Sequence, residues 1–450
     1  MLAIVVSRAD EASVHIGEQL LDIADWTETV DDSRPDVDGG GTVYRTDGAQ
    51  LREFEGRHLE LEDVAEAFEE PSLLVFASKH AGETGELLTA HHTGNFGEAE
   101  YGGESGRFAR AAPNVHRAVV HALVEHAPES YDVGMECTHH GPTDVGVPSL
   151  FVEVGSAQDQ WRDPAAARAV AEAMLDCRGV PADAPAEDGH RRQVVGFGGG
   201  HYVPRFERVV RETDWAVGHI GADWCLDALD EFTGDERQQE AIVERAFAAS
   251  GTEYALVTGD YPELVGTVES LGYHAVDERF LRETTGVPLE FVDAVETAVT
   301  PVSEGLRFGE AAREVDEWRV VSLPEELLAE ATGIDGETVR SWFEANTLAF
   351  GTEQQGSVVT GPAVVAEGTE RSAVVDALAD VLRQRYDSVE RDGDELRARE
   401  QRFDPALADT LGIPEGPKYG QLSAGQSVEV DGRVIDPETV HSERIRCFTL

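Results

Sequence analysis

Along the first 260 residues, short apolar runs alternate with segments of helical spacing, and this alternation restricts the possible folds more than any other feature of the chain. Residues 2–6 read as a buried strand. Residues 13–25 follow with apolar side chains at Val14, Ile16, Leu20, Leu21 and Ile23, one face of a helix. Further strands are expected at 72–78, 87–91, 193–196, 215–220 and 253–258. Helices are expected after Pro113, after the Asp163–Pro164 pair up to Gly179, and over 236–249 before Gly251. The pattern predicts an α/β fold, a mostly parallel sheet with helices on both faces. The acidic, glycine-rich run 28–42 is expected to be a surface loop. Past Pro301 the texture changes to scattered helices, a glycine-rich stretch at 351–361, and short strands about an Asp431–Gly432 turn. With 450 residues exceeding what one core normally holds, the expected domains are 1–295 and a smaller α+β accessory domain, 300–450.

One stretch breaks the apolar logic. MECTHHGPTDVGVPSLFVEVGS, residues 135–156, reads as a strand pair, yet it carries Glu136, His139, His140 and Glu153 where filling a core would call for Val, Ile or Leu. Buried carboxylates need partners, and imidazoles or a cation supply them. Of fifteen histidines, seven sit in or beside strands and their loops: His80, His91, His92, His139, His140, His201 and His219. Ligands of open α/β sheets bind beyond the carboxyl ends of strands, where several of these lie.

Because adjacent side chains on a strand point to opposite faces, only one of His91 and His92 is expected to enter a pocket. The Gly141–Pro142 break allows His139 and His140 both to turn inward. In VGFGGGHY, residues 195–202, Gly198, Gly199 and Gly200 could offer amides to a developing oxyanion beside His201. Between His190 and Arg211 lie five arginines against one acid, Glu207. That island suits phosphate, with pairing to nearby carboxylates an equal alternative. The chain has no G-x-S-x-G, no P-loop and no H-E-x-x-H. Hydrolysis by water activated through histidine, or through a His/carboxylate metal site, remains.

Composition sets the surroundings. The formal charge is −52, and of 36 basic residues only Lys79 and Lys418 are lysines. In molar salt the Debye length falls to about 3 Å, so such a surface stays soluble without tearing itself apart. A halophilic cytoplasm is the expected setting. The four cysteines have no C-x-x-C spacing, which disfavours a thiolate zinc site and a disulfide framework. No apolar run approaches about 20 residues, so no membrane span is expected.

The segments LAIVVSRADEASVHIGEQLL, SKHAGETGELLTAHHTGNFGEA, MECTHHGPTDVGVPSLFVEVGS, VVGFGGGHYVPRF and VGHI, taken in order, resemble the archaeal and plant type of D-aminoacyl-tRNA deacylase over most of the first 290 residues. The resemblance implies hydrolysis of the ester between a D-amino acid and the tRNA 3′ ribose, a zinc requirement, and an α/β core similar to peptidyl-tRNA hydrolases and nucleoside phosphorylases. On this reading the catalytic group comprises His80, His91, Glu136, His139, His140, Glu153 and His201, with zinc held among His91, His139, His140 and His201. Substrate contacts fall to Asn95, Arg191, Arg192, Gly198, Gly199, Gly200, Arg205 and His219. The expected partner is D-aminoacyl-tRNA, with no DNA and no membrane, and the expected state is a monomer. The competing readings are a zinc amidohydrolase or peptidase acting on a small acylated substrate, a nucleoside phosphorylase, and a tRNA-binding protein without catalysis.

Overall fold

The computed structural model of the chain describes residues 1–187, 189–234 and 236–450. They form two compact units, Met1–Thr285 and Gly286–Leu450. The first unit is built on an eight-stranded mixed sheet. Its strands are β1 (Leu2–Ser7), β2 (Thr27–Asp31), β3 (Gly41–Thr46), β4 (Ala49–Phe54), β5 (Leu73–Lys79), β6 (Leu87–His91), β7 (Asp132–Met135) and β8 (Ser149–Gly155). The spatial order is β2-β3-β4-β1-β5-β8-β6-β7. The β4, β1, β5 and β8 strands run parallel, β6 runs antiparallel to β8, and β7 pairs parallel with β6. A second sheet of the same unit is wholly parallel and joins Gln193–Phe197, Ala216–Gly221, Tyr254–Val257 and His274–Val276.

Period-two alternation decides what each face of the large sheet does. Ile4, Val75, Ala77, Leu88, Ala90, Leu150, Val152 and Val154 point one way into a core shared with the helices Glu11–Ile23, Pro113–His126 and Pro164–Asp176. Asp10 starts the first of these helices by accepting the amides of Ala12 and Ser13, and Asp163 caps the third through Ala165. Phe76 and Phe151 point the other way and stack at 4.4 Å. That face is covered by the short 3-10 turns His58–Glu60 and Val64–Ala67. Helices were expected on both faces; on this sheet the described α-helices of the core lie on one. The loop cover on the other face leaves room for a cavity.

Two expectations are corrected here. The run 28–42 is not all loop, since β2 and β3 pair antiparallel from Thr27↔Arg45 to Asp31↔Gly41 at the sheet's edge. The outermost strand, β2, is exposed along nearly all its length and needs no apolar alternation, so its sequence looks like a loop. Gly40 marks the tight point, because a Cβ there would lie 2.1 Å from the Arg34 carbonyl oxygen. Residues 135–156 are not a strand pair either: β6 lies between β7 and β8, and residues 136–148 form an irregular connection of which Thr138, His139 and His140 line the cavity.

The second unit contains a four-stranded antiparallel sheet, Leu306–Phe308, Trp318–Val321, Ala349–Glu353 and Val358–Ala366, and a three-stranded sheet ending in His441–Thr449. The helix Leu289–Ala298 belongs to this unit, with Phe291 against Phe308 and Trp318, so the division falls ahead of residue 295. Its terminal hairpin turns at Asp431 and Gly432, both at positive φ, which suits an Asp-Gly turn. Among the described residues no helix is long and apolar enough to cross a membrane.

Three buried imidazoles tie the two sheets of the first unit together. His92, just past β6, has Nδ1 3.1 Å from the Gly218 carbonyl and accepts the Ala112 amide at Nε2. His116 contacts the Ala90 carbonyl at 3.1 Å, and His219 contacts the Ala109 carbonyl at 2.8 Å and Thr138 Oγ1 at 3.1 Å. Burial pushes His116 and His219 down to about 4 and His92 well below the ordinary imidazole range. The fold therefore holds all three neutral. Their contribution to stability is complete above about pH 6.5, the unfolded value, and is lost as pH falls toward about 4. His116→Gln should flatten that decline by up to about 1.4 kcal/mol per pH unit in this window, read from denaturant unfolding in molar salt. An unchanged slope would show that His116 does not titrate with unfolding.

Candidate functional site

The exposed face of the large sheet supplies the site's floor. On β8, Glu153 sits two residues from Phe151 and so shares its face. On β5 and β6 the same alternation brings Ser78 and His91 to that side, with His80 following β5. Glu136 extends from β7 and pairs with Tyr202, while Cys137 N–H donates to the His201 carbonyl. His139 and His140 lie in the irregular connection after β7, and His140 takes a left-handed φ of 51°, an uncommon conformation for a side-chain-bearing residue that here turns its ring inward. These segments line a cavity of about 880 Å³ that includes His80, His139, His140, Glu153 and His201.

His139 and His140, which line the cavity, pack with the fully buried His91 into a trio whose ring centroids lie 4.5 to 5.0 Å apart. Each is held at Nδ1 by a main-chain carbonyl: His91 by His92 O at 3.1 Å, His139 by Cys137 O at 2.9 Å and His140 by Gly141 O at 2.7 Å. A proton at Nδ1 leaves each Nε2 lone pair free to accept. His91 Nε2 is buried and makes no hydrogen bond, although Glu153 Oε1 lies 3.6 Å away. Burial pushes His91 down and His140 well down, so both are neutral. Carbonyl-anchored neutral imidazoles are the usual preparation of metal ligands. One ligand atom from each of the three lies within 4.8 Å of the others, and so do those of His91, Glu136 and Glu153. The donor set suits zinc. His201, the fourth expected ligand, groups instead with Cys137 and His139 or with His80 and Glu136.

The two carboxylates are driven apart. Burial raises Glu136, but the contacts of Oε2 with His201 Nε2 at 2.8 Å and of Oε1 with His80 Nδ1 at 3.1 Å outweigh burial and hold it well below the carboxylate range. Burial, reinforced by the Glu136 charge, holds Glu153 well above that range. Glu136 is thus the anion and Glu153 the neutral acid. His201 answers with a rise to about 10, through its contacts with the Cys137 sulfur and with Glu136. For His80 burial works downward, but Glu136 prevails and the net direction is up, while Nε2 contacts the Tyr202 hydroxyl at 2.7 Å.

Of the residues expected to bind substrate, only Asn95 lines the cavity, and its side-chain amide donates to the Gly102 and Glu104 carbonyls, shaping the loop at the mouth. The glycine amides are largely spent: Gly198 N–H donates to the Gly221 carbonyl and Gly199 N–H to Asp223 Oδ1 at 2.7 Å. The loop therefore positions His201 instead of facing an oxyanion with those two groups. Arg191 pairs with Asp183, Arg192 is buried with the Thr284 carbonyl and Asp214, and Arg205 is exposed on the helix Pro204–Glu212; none lines the cavity. His219 is a buried strut. Residues that sequence reasoning passed over include Tyr202 and Ser78 in the site, and Tyr101, Trp224 and Phe232 at its mouth. Tyr202 follows His201 directly, which was the available signal.

A family model described as D-aminoacyl-tRNA deacylase matches residues 67–273. The D-aminoacyl-tRNA deacylase of Haloarcula marismortui is 60% identical over 451 residues, covering 100% of both chains. That of Natronomonas pharaonis is 54% identical, again over 100% of both. That of Methanoregula boonei is 33% identical over 98% of this chain and 96% of its own. A crystal structure of a conserved protein of unknown function matches with a TM-score of 0.54 at 27% identity, over 63% of this chain and 98% of that one.

Glu136→Gln removes the charge that lifts His201. In metal-free protein the His201 imidazole should then fall from about 10 toward the ordinary range, observed by NMR of ring-labelled histidine. A value unmoved by the substitution would locate the cause elsewhere.

Proposed function

This chain belongs to the D-aminoacyl-tRNA deacylase family, and from that premise we propose how its cavity acts. The protein hydrolyses the ester bond of D-aminoacyl-tRNA and releases free D-amino acid and tRNA. The observation that carries the mechanism is a trio of carbonyl-anchored imidazoles beside a buried, ionised carboxylate, Glu136, which His91 and His139 both approach. His91, His139 and His140 would hold zinc, which when bound lowers the pKa of a coordinated water and polarises a carbonyl. Glu136, whose Oε1 is approached by His80 Nδ1 at 3.1 Å and whose Oε2 is approached by His201, orients the attacking water through its remaining lone pairs and takes up its proton. His201, cationic and open to the cavity, stabilises the negative charge that gathers on the carbonyl oxygen as the tetrahedral centre forms, the role first expected of the glycine amides. Neutral Glu153 keeps a second anion away from that oxygen. The C–O bond to the ribose then breaks, and the departing oxygen takes up the proton released by the attacking water, so a separate acid is unnecessary.

The charge of −52 and the near absence of lysine support work in a molar-salt cytoplasm, where the tRNA substrate resides. His139→Ala, His140→Ala and His201→Ala should each slow single-turnover hydrolysis of D-tyrosyl-tRNA by about 100-fold or more in molar KCl, with chelator treatment of the wild type giving a comparable loss. Near-normal rates in all three variants would end this assignment, and equal rates on the matched L-tyrosyl-tRNA would remove its chirality.

A further inference from the structure

The mouth of the cavity has a composition that the chemistry at its floor does not require. The helix Asp223–Phe232 presents Trp224, Ala228, Glu231 and Phe232 to it, and the loop after β6 presents Glu98, Glu100 and Tyr101. Trp224 is 48% exposed, Tyr101 66% and Phe232 38%. Large aromatic side chains left in water around one opening mark a surface that binds something flat and apolar. The alternative grip on RNA, cationic pairing with phosphate, is poorly provided for. Of the two basic side chains lining the cavity, Arg57 pairs with Glu60 at 2.6 Å, and the Lys79 ammonium lies over the Trp161 ring at 5.0 Å. Glu98, Glu100 and Glu231 add negative charge at the opening, which repels a phosphate backbone wherever salt does not screen it.

The platform is also registered to the site. Asp223, the residue before Trp224, donates its amide to the Gly199 carbonyl and accepts the Gly199 amide and the Tyr261 hydroxyl, each at 2.7 Å, on its carboxylate. Two residues further along that same loop stands His201. The start of the helix that carries Trp224 is therefore tied to the segment that carries His201.

We propose that Trp224, with Tyr101 at the same mouth, stacks the terminal nucleobase of the tRNA, and that stacking in place of phosphate pairing delivers the ester to the histidines. This rests on the deacylase reading of the cavity and names the part of the substrate that the rim recognises. Stacking of a base on an aromatic side chain tolerates any base and survives molar salt, in which paired charges lose most of their attraction.

The test compares D-tyrosyl-adenosine, which keeps the base, with D-tyrosine ethyl ester, which lacks it, in molar KCl. Trp224→Ala should raise KM for D-tyrosyl-adenosine about 10-fold or more while kcat changes little, and Trp224→Phe should restore most of the loss. Hydrolysis of the ethyl ester should be unaltered by either substitution. An unchanged KM for the nucleoside ester, an equal effect on both esters, or a phenylalanine variant as impaired as the alanine one would overturn the proposal. Binding of free adenosine, measured by calorimetry on wild type and Trp224→Ala, judges the platform without turnover. Weaker binding by the variant supports it and equal affinity overturns it. Absence of D-tyrosyl-tRNA hydrolysis by the wild type would instead count against the deacylase mechanism, so the two failures are distinguishable.

Discussion

A single desolvated charge organises this protein's site. Glu136 is buried and ionised, and an isolated carboxylate in such a place would take up a proton sooner than bear the desolvation. It stays charged because His201 and His80 approach its two oxygens from different segments of the chain. The same charge then sets the state of its neighbours. It lifts both imidazoles toward their cationic forms, and it reinforces the burial that already keeps Glu153 neutral, whose carboxyl shares a ligand-sized space with it. One anion, a cationic His201, a His80 drawn toward its cationic form and one neutral acid make a coupled arrangement in which the Glu136 carboxylate bears on each of the others.

Holding that carboxylate in place is a matter of fold, because its partners come from strands that are far apart in sequence. Glu153 and His80 belong to adjacent parallel strands, whereas Glu136 and His201 meet where the first sheet abuts the loop that follows a strand of the second. The join between the sheets is made by His92, His116 and His219, which bond main-chain carbonyls on either side of it. Thr138 receives both the His219 ring contact and the Ile220 amide, and it immediately precedes His139. Neutral structural histidines thus aim the functional ones, and imidazole serves both purposes because it can donate from one nitrogen while accepting at the other.

Much of this was legible in the sequence where strand geometry left no choice. Side-chain alternation required His91 and His92 to part, and they do: His91 packs behind the cavity against His139 and His140, and His92 joins the sheet-to-sheet contact. The doubled histidine before Gly141 pointed to a broken strand, and both rings turn inward. What could not be read was pairing at a distance. Nothing local in residues 135–156 tells that β6 will lie between the two flanking strands, and nothing in 27–31 distinguishes an edge strand from a loop, since that strand is exposed along nearly all its length. Local sequence also does not say where an amide's hydrogen bond goes. The glycines of 198–200 looked available, yet Gly221 and Asp223, more than 20 residues away, had taken two of their donors. The arginine island misled for the same reason, since Arg191 and Arg192 are committed to Asp183 and Asp214.

The excess of acid over base limits how such a site can recognise nucleic acid at all. A protein that grips RNA through phosphate pays a steep salt dependence, because each neutralised phosphate releases a counterion whose entropy gain vanishes in concentrated salt. In a chain of charge −52 that strategy is weak twice over, being screened when salt is high and opposed by carboxylates when salt is low. Contacts that do not depend on net charge are left: apolar burial, stacking and short directional hydrogen bonds. The cavity is provisioned accordingly. Its buried charges meet partners at the floor, and its opening sets aromatic rings among carboxylates, rings that keep their attraction for a base whatever the ionic strength.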